Sequence, residues 1–494
     1  MSARAPKLAE RTAAKSPGGP NADGRAPDPD IRAITADSRL VSPGTLFVAL
    51  PGVANDGRRF IAEAIARGAA AVLTDAEGAA AHAAAAVPVL VDENPRRRLA
   101  VLAAALHGPQ PRTVAAVTGT NGKTSTASFT RQIWADTGLK AASIGTLGIE
   151  GPEGLRPGAM TTPDPVTLAR ALADLAAEGI EHAVMEASSH GLDQYRLDGV
   201  CISAGAFTNL TQDHLDYHRT MAAYLAAKLR LFEHVLATGG TAVLNADIPE
   251  FGQAAAVADA AGHPVLDFGM AAKALRLKAR TGTPTGQRLE LDVLGRAHTI
   301  ELPLVGTFQA MNALAALGLA IATGIAPDRA VDALTRLKGV RGRVELVATL
   351  PNGAAVFVDY AHTPDGLEKI LTALRPHTTG KLVVAFGAGG DRDPTKRAPM
   401  GAICARLADV AIVTDDNPRS EDPAAIRRAI LAACPGATEI GDRAQAIAHG
   451  IGLLGPGDVF VIAGKGHEQG QTVAGVVHPF DDAEVARAAL GGRP

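Results

Sequence analysis

Residues 112–126 read RTVAAVTGTNGKTST, and this stretch decides the fold of the chain. Its apolar part, residues 114–117, is long enough for one buried strand, and residues 119–122 then predict a tight turn of small residues. Residues 127–136 are predicted to be helical. A strand, a glycine turn and a helix N-terminus form an anion-binding site, because backbone N–H groups and the helix dipole both face the anion. The stretch therefore predicts a nucleotide phosphate site.

Two side chains give this loop its chemistry. Lys123 would reach the outer phosphates, and the Thr124 hydroxyl would ligate Mg²⁺. The match to the general P-loop pattern is imperfect, because Val117 occupies the position of its first glycine. The alternative is a helix-capping turn that carries a lysine by chance. The strand before the loop and the helix after it favour the phosphate site.

Length, charge and cysteine usage limit the class of protein. The chain has 494 residues, which is typical of about three domains. Its formal net charge of −3 gives no electrostatic reason to expect a nucleic acid or an anionic membrane as partner. The three cysteines, Cys201, Cys404 and Cys434, lie far apart in apolar or helical contexts. We expect reduced core residues of a cytoplasmic protein.

Targeting and membrane segments are not expected. Residues 1–30 are rich in proline, glycine, alanine and charge and lack the apolar core of a signal peptide, so they are predicted to be a disordered extension. No apolar run approaches the ~20 residues that a membrane span needs.

Alternating strand and helix patterns predict an α/β protein of three domains. Residues 31–110 form a small α/β domain that ends in a Gly-Pro-Gln-Pro linker. Residues 111–338 form a doubly wound, parallel domain around the phosphate loop, with an antiparallel extension at residues 266–304. Residues 339–494 form a second doubly wound domain. The sequence also predicts helices at residues 95–107 and 221–235 and strands at residues 182–186, 355–359 and 382–386. Ligands of such sheets bind where parallel strands end.

Three polar residues of the central domain are candidates for metal chemistry. Glu186 ends a predicted strand, where a carboxylate could bind Mg²⁺, although it could instead cap the following turn at the surface. His214 and His218 lie four residues apart, but Leu215 stands where a zinc protease needs glutamate, so we do not expect zinc. Lys228 lies on an alanine-rich helix. Its pattern alone predicts a solvated lysine.

Three loops of the C-terminal domain carry charged side chains just after predicted strands. Arg392, Arg419 and Glu468 are expected to converge, because the strands are parallel. Guanidinium groups bind carboxylates bidentately, and a glutamate binds an ammonium group. Pro418 restrains Asn417 and stiffens the loop that aims Arg419. The three loops therefore predict a site for a zwitterion.

Taken together, several motifs resemble those of the Mur ligase family of ATP-dependent amide-forming ligases of peptidoglycan synthesis. They are TGTNGKT at residues 118–124, EASSH at 186–190, TNL at 208–210 and DHLDYH at 213–218. The resemblance covers residues 31–490. It implies a UDP-binding N-terminal domain, a central ATPase domain and a Rossmann-like C-terminal domain. Within the family, DNPR at 416–419 and GKGHE at 464–468 are similar to members that add meso-diaminopimelate to UDP-N-acetylmuramoyl-L-alanyl-D-glutamate.

The resemblance implies four groups of site residues. The UDP-muramoyl-dipeptide would contact Ser38, Val53, Ala54, Asn55, Thr161, Thr162, Ser188, Gln194 and Arg196. ATP would contact Gly119, Thr120, Asn121, Gly122, Lys123, Thr124, Ser125, Asn312, Arg343 and Asp359. Diaminopimelate would contact Arg392, Asp416, Asn417, Pro418, Arg419, Gly464 and Glu468. The catalytic group would be Lys123, Glu186, His214 and Lys228.

The resemblance also implies a metal site and a modified lysine. Thr124, Glu186, His214 and Lys228 would hold Mg²⁺, with Lys228 carboxylated by CO₂ to an anionic carbamate. This reverses the solvated-lysine interpretation, because an ordinary lysine (pKa ~10.4) is a cation and would repel the metal. ATP would phosphorylate the D-glutamyl carboxylate, and the incoming amine would displace phosphate. We expect a monomer with small-molecule substrates.

Rival functions remain at this stage. Folylpolyglutamate synthases and lysine-adding muramyl ligases use a related loop and carbamate, but the Arg419 loop favours a substrate with a distal carboxylate. A non-catalytic nucleotide switch is a rival of another class. It would leave the charged C-terminal loops without a role.

Overall fold

The computed structural model describes residues 29–52, 56–158, 160–283 and 285–491. The predicted disordered extension lies almost wholly outside these residues, as do Val53, Ala54 and Asn55 of the predicted UDP site. The chain forms two compact units. The first takes in the residues through 123 together with 138–244 and 248–265, and the second takes in 124–137, 245–247 and the residues from 266 onward. The domain boundaries expected at 110 and 338 stay predictions.

The first unit begins with a four-stranded parallel sheet. In spatial order its strands are Ala33–Thr35, Thr45–Val48, Ala69–Thr74 and Val89–Val91. The helices are Ile61–Ala66, Ala76–Ala81 and Pro95–His107. The last helix starts where the sequence predicts, because the Asn94 side chain accepts a hydrogen bond from Arg97 N and proline suits the first helical position.

Seven further strands of the first unit pair side by side. The five parallel strands among them, in spatial order, are Leu236–Asn245, Ile202–Phe207, Thr113–Thr118, His182–Glu186 and Ala141–Gly145. Gly148–Gly151 and Gly154–Arg156 continue the sheet antiparallel. The helices are Pro165–Ala177, Ser189–Asp193, Leu215–His218, Met221–Arg230 and Phe251–Ala260. The phosphate-loop strand Thr113–Thr118 is central and fully paired, which places the loop among the parallel strand ends.

Two local predictions for this region need correction. The helix predicted over residues 221–235 is α-helical to Arg230 and continues as a π-helix, Leu231–Val235. The π-turn keeps Leu231, Phe232 and Val235 buried together, immediately before the next strand begins. Cys201 is exposed, whereas Cys404 and Cys434 are buried as predicted. Cys201 is exposed because it stands just before the strand Ile202–Phe207, outside the paired residues.

The second unit contains the helix that follows the phosphate loop, Lys123–Asp136, and a four-stranded segment. Leu275–Thr283, Gly286–Val293 and Arg296–Leu302 pair antiparallel, as predicted. Val265–Gly269 instead pairs parallel with the first of them. The carboxylates of Asp247 and Asp267 accept backbone N–H groups of the connecting residues and hold that connection. The helices Thr307–Ala322 and Pro327–Leu334 follow.

A six-stranded sheet ends the chain. Its spatial order is Glu345–Thr349, Ala355–Asp359, Val459–Ala463, Leu382–Phe386, Val410–Val413 and Thr438–Glu439, with only the first pairing antiparallel. Its helices are Pro364–Leu374, Arg397–Leu407, Pro423–Leu431, Arg443–Gly452 and Asp482–Gly491, and a hairpin joins Gly470–Val473 to Val476–Pro479. Two apolar clusters pack against this sheet, so it is covered on both faces, as a doubly wound domain requires.

Candidate active site

The phosphate loop is held by the neighbouring strand end. Thr120 N donates to Asn209 O, and Asn121 N donates to Asn209 Oδ1. Gly119 has a φ of +143°, and a Cβ there would lie 2.0 Å from Thr208 Oγ1. Only glycine therefore allows the loop to pass this close to the adjacent strand end.

Lys123 folds back onto its own loop. Its Nζ donates hydrogen bonds to Gly119 O and Thr120 O, each at 2.8 Å. The loop carbonyls thus hold the ammonium group at the mouth of the loop. The helix Lys123–Asp136 begins four residues earlier than predicted, so Thr124 and Ser125 lie in its first turn. Their contacts with ATP stay predictions.

Lys228 is buried, and the solvated-lysine interpretation is wrong. Its residue exposure is 1 %, and its Nζ donates to Gly119 O at 2.8 Å. The Nζ also lies 4.3 Å from the centre of the Tyr224 ring. Burial, and then the charge of Lys123, lower the pKa of Lys228 well below its ordinary value. The neutral amine is therefore favoured at a position where helix pattern alone predicts a solvated cation.

Glu186 is also buried, which excludes a surface cap. Its Oε1 accepts from Thr146 N at 2.8 Å, and its Oε2 lies 3.2 Å from Thr146 Oγ1. A Cβ at Gly145 would lie 2.0 Å from Glu186 Oε1, so the carboxylate occupies space that only glycine leaves open. Glu186 is in register with Val117 of the phosphate-loop strand. Thr146 was not predicted, although its position just after the strand Ala141–Gly145 could have suggested it.

The histidines lie in an aromatic cluster with Tyr224. The rings of His190 and His214 are 4.9 Å apart, and His214 is 6.1 Å from Tyr224. His214 takes a left-handed backbone conformation, with φ 52°, and about half of its side chain is exposed, whereas His218 is buried. His214 and Lys228 thus share Tyr224 as a neighbour. Within the described ranges, no three His, Cys, Asp or Glu side chains group so that they could hold a metal ion.

The residues predicted for the muramoyl-dipeptide contact one another. Thr162 Oγ1 donates to Glu186 O at 2.8 Å and lies 3.0 Å from Ser188 Oγ. Arg196 donates to Thr162 O at 2.6 Å and to Gln194 Oε1 at 2.8 Å. The network thus connects directly to the strand that carries Glu186.

Two further predicted contacts for this substrate have separate positions. Thr161 Oγ1 is 3.0 Å from Thr146 Oγ1, so it joins the surroundings of Glu186. Ser38 is buried and begins the short 3₁₀-helix Ser38–Leu40 of the N-terminal sheet region.

The three downstream ATP residues lie near one another in the second unit. The Asn312 amide donates to Gln309 Oε1 at 3.0 Å, and Gln309 Nε2 donates to Arg343 O at 3.2 Å. Both carboxylate oxygens of Asp359 already accept backbone N–H groups, from Val344 and Ala361, at 2.8 Å. Burial raises the pKa of Asp359, and the charge of Arg343 opposes that shift. Asp359 thus fixes its own loop, and its predicted contact with ATP stays a prediction.

The predicted diaminopimelate loops do converge. Arg419 Nη1 donates to Gly390 O at 2.7 Å, and Gly390 N donates to Asn417 O at 2.9 Å. Asn417 Nδ2 donates to Glu468 Oε2 at 2.9 Å. Arg392 lies in the same loop as Gly390 and is exposed.

The remaining members of this group line the same loops. Asp416 and Pro418 are buried, and Asp416 Oδ1 has no hydrogen-bond partner within the described part of the chain. Gly464 has a φ of +122°, a conformation that favours glycine, and a Cβ there would lie 3.6 Å from Asp416 Oδ2.

Comparisons with known proteins agree across nearly the whole chain. Three family models match: "Mur ligase family, catalytic domain" at residues 30–107, "Mur ligase middle domain" at 117–320, and "Mur ligase, glutamate ligase domain" at 342–466. The chain is 54 % identical to a protein of Caulobacter vibrioides named UDP-N-acetylmuramoyl-L-alanyl-D-glutamate–2,6-diaminopimelate ligase, over 94 % of this chain and 97 % of that protein. A protein of Rhizobium meliloti with the same name is 53 % identical, over 94 % and 95 %.

Solved structures show the same architecture. A structure of UDP-N-acetylmuramoyl-L-alanyl-D-glutamate–2,6-diaminopimelate ligase matches with a TM-score of 0.74 and 34 % identity, over 93 % of this chain and 95 % of that one. Folylpolyglutamate synthase of Mycobacterium tuberculosis matches with a TM-score of 0.61 at 20 % identity, over 81 % and 94 %, which indicates a shared fold only. The predicted three-domain α/β architecture is confirmed. The chain belongs to the Mur ligase family.

Proposed function

We propose that this chain is an ATP-dependent ligase that joins an amine of meso-diaminopimelate to the D-glutamyl side-chain carboxylate of UDP-N-acetylmuramoyl-L-alanyl-D-glutamate. The names of its relatives agree with this activity, which the sequence motifs predict. The observation that carries the proposal is the convergence of Arg419, Asn417 and Glu468 in the C-terminal unit. A guanidinium group and a carboxylate on hydrogen-bonded loops suit an amino acid that carries both a carboxylate and an ammonium group.

The phosphate loop and Lys123 would bind ATP. The γ-phosphoryl group and the D-glutamyl carboxylate are both anionic and repel each other, so positive charge must offset the repulsion. Lys123 is already held at the loop mouth by two carbonyl groups. Positioning and electrostatic stabilisation therefore dominate this step, which yields an acyl phosphate and ADP.

Glu186 would hold a Mg²⁺ ion through its buried carboxylate, which occupies a space that a Cβ at Gly145 would fill. Thr124 and His214 stay predicted donors, which rest on the resemblance. Lys228 would join them as a carbamate, because a neutral, buried amine can react with CO₂ whereas an ammonium group cannot. The metal would supply Lewis-acid stabilisation of phosphoryl charge.

The second step needs a neutral amine. The amine of diaminopimelate attacks the acyl carbon, a tetrahedral intermediate forms, and inorganic phosphate leaves. The substrate's distal carboxylate distinguishes it from lysine, and Arg419 would bind that group. A lysine substrate would leave the Arg419 guanidinium without its partner, which can lower kcat/KM by a factor of ~10⁴ in a desolvated site.

The remaining predictions concern the oligomeric state and the location of the protein. No helix among the described residues is long and apolar enough to cross a bilayer. A monomer and a cytoplasmic location remain predictions. Sedimentation and cell fractionation would measure them directly.

Substrate dependence tests the proposed function. The full chain is incubated with Mg²⁺, ATP and bicarbonate, with each organic substrate omitted in turn, and phosphate release and product mass are measured. We expect phosphate release only when the UDP-muramoyl dipeptide and diaminopimelate are both present. Turnover with a folyl substrate and glutamate, or a kcat/KM for lysine equal to that for diaminopimelate, would contradict the assignment. Phosphate release without any amino acid would favour the nucleotide switch.

A further inference from the structure

Lys465 is a buried cation at the centre of the C-terminal loops. Its side chain is 0 % exposed. Lysine is almost never fully buried unless its ammonium group is paired, because removing the charge from water costs free energy. The residue lies between Gly464 and Glu468, two predicted contacts of diaminopimelate, but was not itself predicted to contribute. Its role must come from the groups that its ammonium contacts.

The ammonium group of Lys465 has four oxygen neighbours. It donates to Asn417 Oδ1 at 2.9 Å and to Gly470 O at 2.6 Å. It also lies 3.6 Å from Glu468 Oε2 and 3.7 Å from Asp416 Oδ1. Burial lowers the pKa of Lys465, and the carboxylates of Asp416 and Glu468 oppose that shift. The ammonium thus sits among one amide, one carbonyl and two carboxylates.

Asn417 transmits this contact to Glu468. Its Oδ1 accepts two hydrogen bonds, from Lys465 Nζ at 2.9 Å and from Thr472 N at 3.0 Å. The amide can then direct only its Nδ2 towards Glu468, and that donor reaches Glu468 Oε2 at 2.9 Å. Lys465 therefore helps to fix both the amide and the carboxylate.

The same network continues to the Arg419 guanidinium. Asn417 O accepts from Gly390 N, and Gly390 O accepts from Arg419 Nη1. Arg419 N in turn donates to Thr472 O at 2.9 Å. The loops that carry the predicted cation and anion contacts of the substrate are thus joined through Asn417, whose side chain Lys465 orients.

The charges around Lys465 bear on selectivity. Asp416 and Glu468 supply two negative charges, and Lys465 offsets one of them. Without Lys465, the loops would attract positively charged amino acids more strongly, whether or not these carry a distal carboxylate. The kcat/KM for lysine would then rise relative to the kcat/KM for diaminopimelate.

We propose that Lys465 is a positioning residue for amino-acid selection, which orients Asn417 and Glu468 and limits the negative charge that faces the incoming amino acid. The inference rests on the proposed function and deepens it. Lys465 need not touch the reacting atoms, because it acts through Asn417 and Glu468.

Steady-state kinetics of Lys465→Met in the full chain test the inference. We expect the KM for diaminopimelate to rise by about tenfold or more, which is less than the ~30-fold or more for losing a direct charge partner because Lys465 acts through Asn417 and Glu468. The KM for ATP should change by less than about twofold. The ratio of kcat/KM for diaminopimelate to that for lysine should fall. Lys369→Met is the matched control, because Lys369 is an exposed lysine paired with Asp365 on a helix of the same unit. A merely structural role would raise both KM values and leave the ratio unchanged.

Asn417→Asp is a second variant, which tests the inference if circular dichroism shows that Lys465→Met does not fold. It keeps the side-chain size but replaces the donor that faces Glu468 with an acceptor, so the same selective loss of diaminopimelate use is expected. If the wild-type chain is active and the folded variant keeps both the KM for diaminopimelate and the preference over lysine, the inference is overturned. The proposed function then still stands. A wild-type chain that does not use diaminopimelate would overturn the proposed function and the inference with it.

Discussion

Lys123 and Lys228 donate hydrogen bonds to one acceptor, the carbonyl oxygen of Gly119, and each distance is 2.8 Å. Burial lowers the pKa of Lys228, and the charge of Lys123 lowers it further. One loop carbonyl thus joins the lysine proposed to bind phosphate to the lysine proposed for carboxylation.

Removal of the Lys228 amine should abolish most activity. We expect Lys228→Ala to lower kcat by about 100- to 1000-fold, the scale of losing one electrostatic group at a reacting centre. A short carboxylic acid such as acetate should restore part of that activity, because it can occupy the place of the carbamate. Lys278→Ala, at an exposed lysine, is the control and should behave as wild type. Full activity of Lys228→Ala would refute the assigned role.

The stability of the CO₂-free chain should rise with pH because of Lys228. Its pKa is lowered in the folded state, so the unfolded chain binds one more proton between that lowered value and the ordinary ~10.4. The free energy of unfolding then increases with pH across that window, by at most about 1.4 kcal/mol per pH unit, and the penalty vanishes above it. Denaturant titrations at several pH values measure this slope. Lys228→Met should remove this contribution, and a slope that is the same in both proteins would contradict the prediction.

A methyl group at Gly145 should displace Glu186. The Cβ of Gly145→Ala would lie 2.0 Å from Glu186 Oε1, so the carboxylate must move. We expect the Mg²⁺ concentration for half-maximal activity to rise by about tenfold or more, as for other changes that reorient metal ligands. Gly151→Ala is the matched control in the adjacent strand, since its nearest neighbour would be Ala142 Cβ at 3.9 Å. Equal Mg²⁺ dependence of the two variants would rule out a metal role for Glu186.

Loss of the Arg419 guanidinium should weaken diaminopimelate use far more than ATP use. Removing one partner of a desolvated charge contact lowers affinity by about 30-fold or more. We therefore expect Arg419→Ala to raise the KM for diaminopimelate on that scale, with the KM for ATP nearly unchanged. Arg428→Ala, at an exposed arginine of the same unit, should leave both constants unchanged. If initial-rate kinetics of Arg419→Ala give an unchanged KM for diaminopimelate, the assignment is refuted.

The buried ion pair Arg443–Asp482 should matter much more than an exposed one. Neither side chain of the pair is exposed, and Arg443 also donates to Ala463 O, at the end of the strand before Gly464. Asp482→Asn should lower the free energy of unfolding by about 3–5 kcal/mol, because it leaves a buried arginine without its counter-charge. Asp422→Asn breaks the exposed pair with Arg428 and should cost less than about 1 kcal/mol, since asparagine also caps a helix. Equal denaturation midpoints would contradict this difference.

Local signals predicted the fold well. The strands His182–Glu186, Ala355–Asp359 and Leu382–Phe386 and the helix Pro95–His107 have the bounds expected from the sequence. Apolar runs and helix caps act within a few residues, so a single sequence contains them. The π-turn Leu231–Val235 and the parallel pairing of Val265–Gly269 were missed, because packing and carboxylate contacts from other segments decide them.

The sequence by itself determined the phosphate loop, its glycines and the family, since each is written in contiguous motifs. Only the tertiary structure decided the environments of Lys228 and Lys465. Gly119 O lies 109 residues away from Lys228 along the chain, and Asn417 lies 48 residues away from Lys465. The charge state of a lysine depends on desolvation and on neighbouring charges, and both are set by which distant segments pack together. For this reason Lys228, whose helix pattern alone predicts a solvated side chain, is a buried amine beside the phosphate loop.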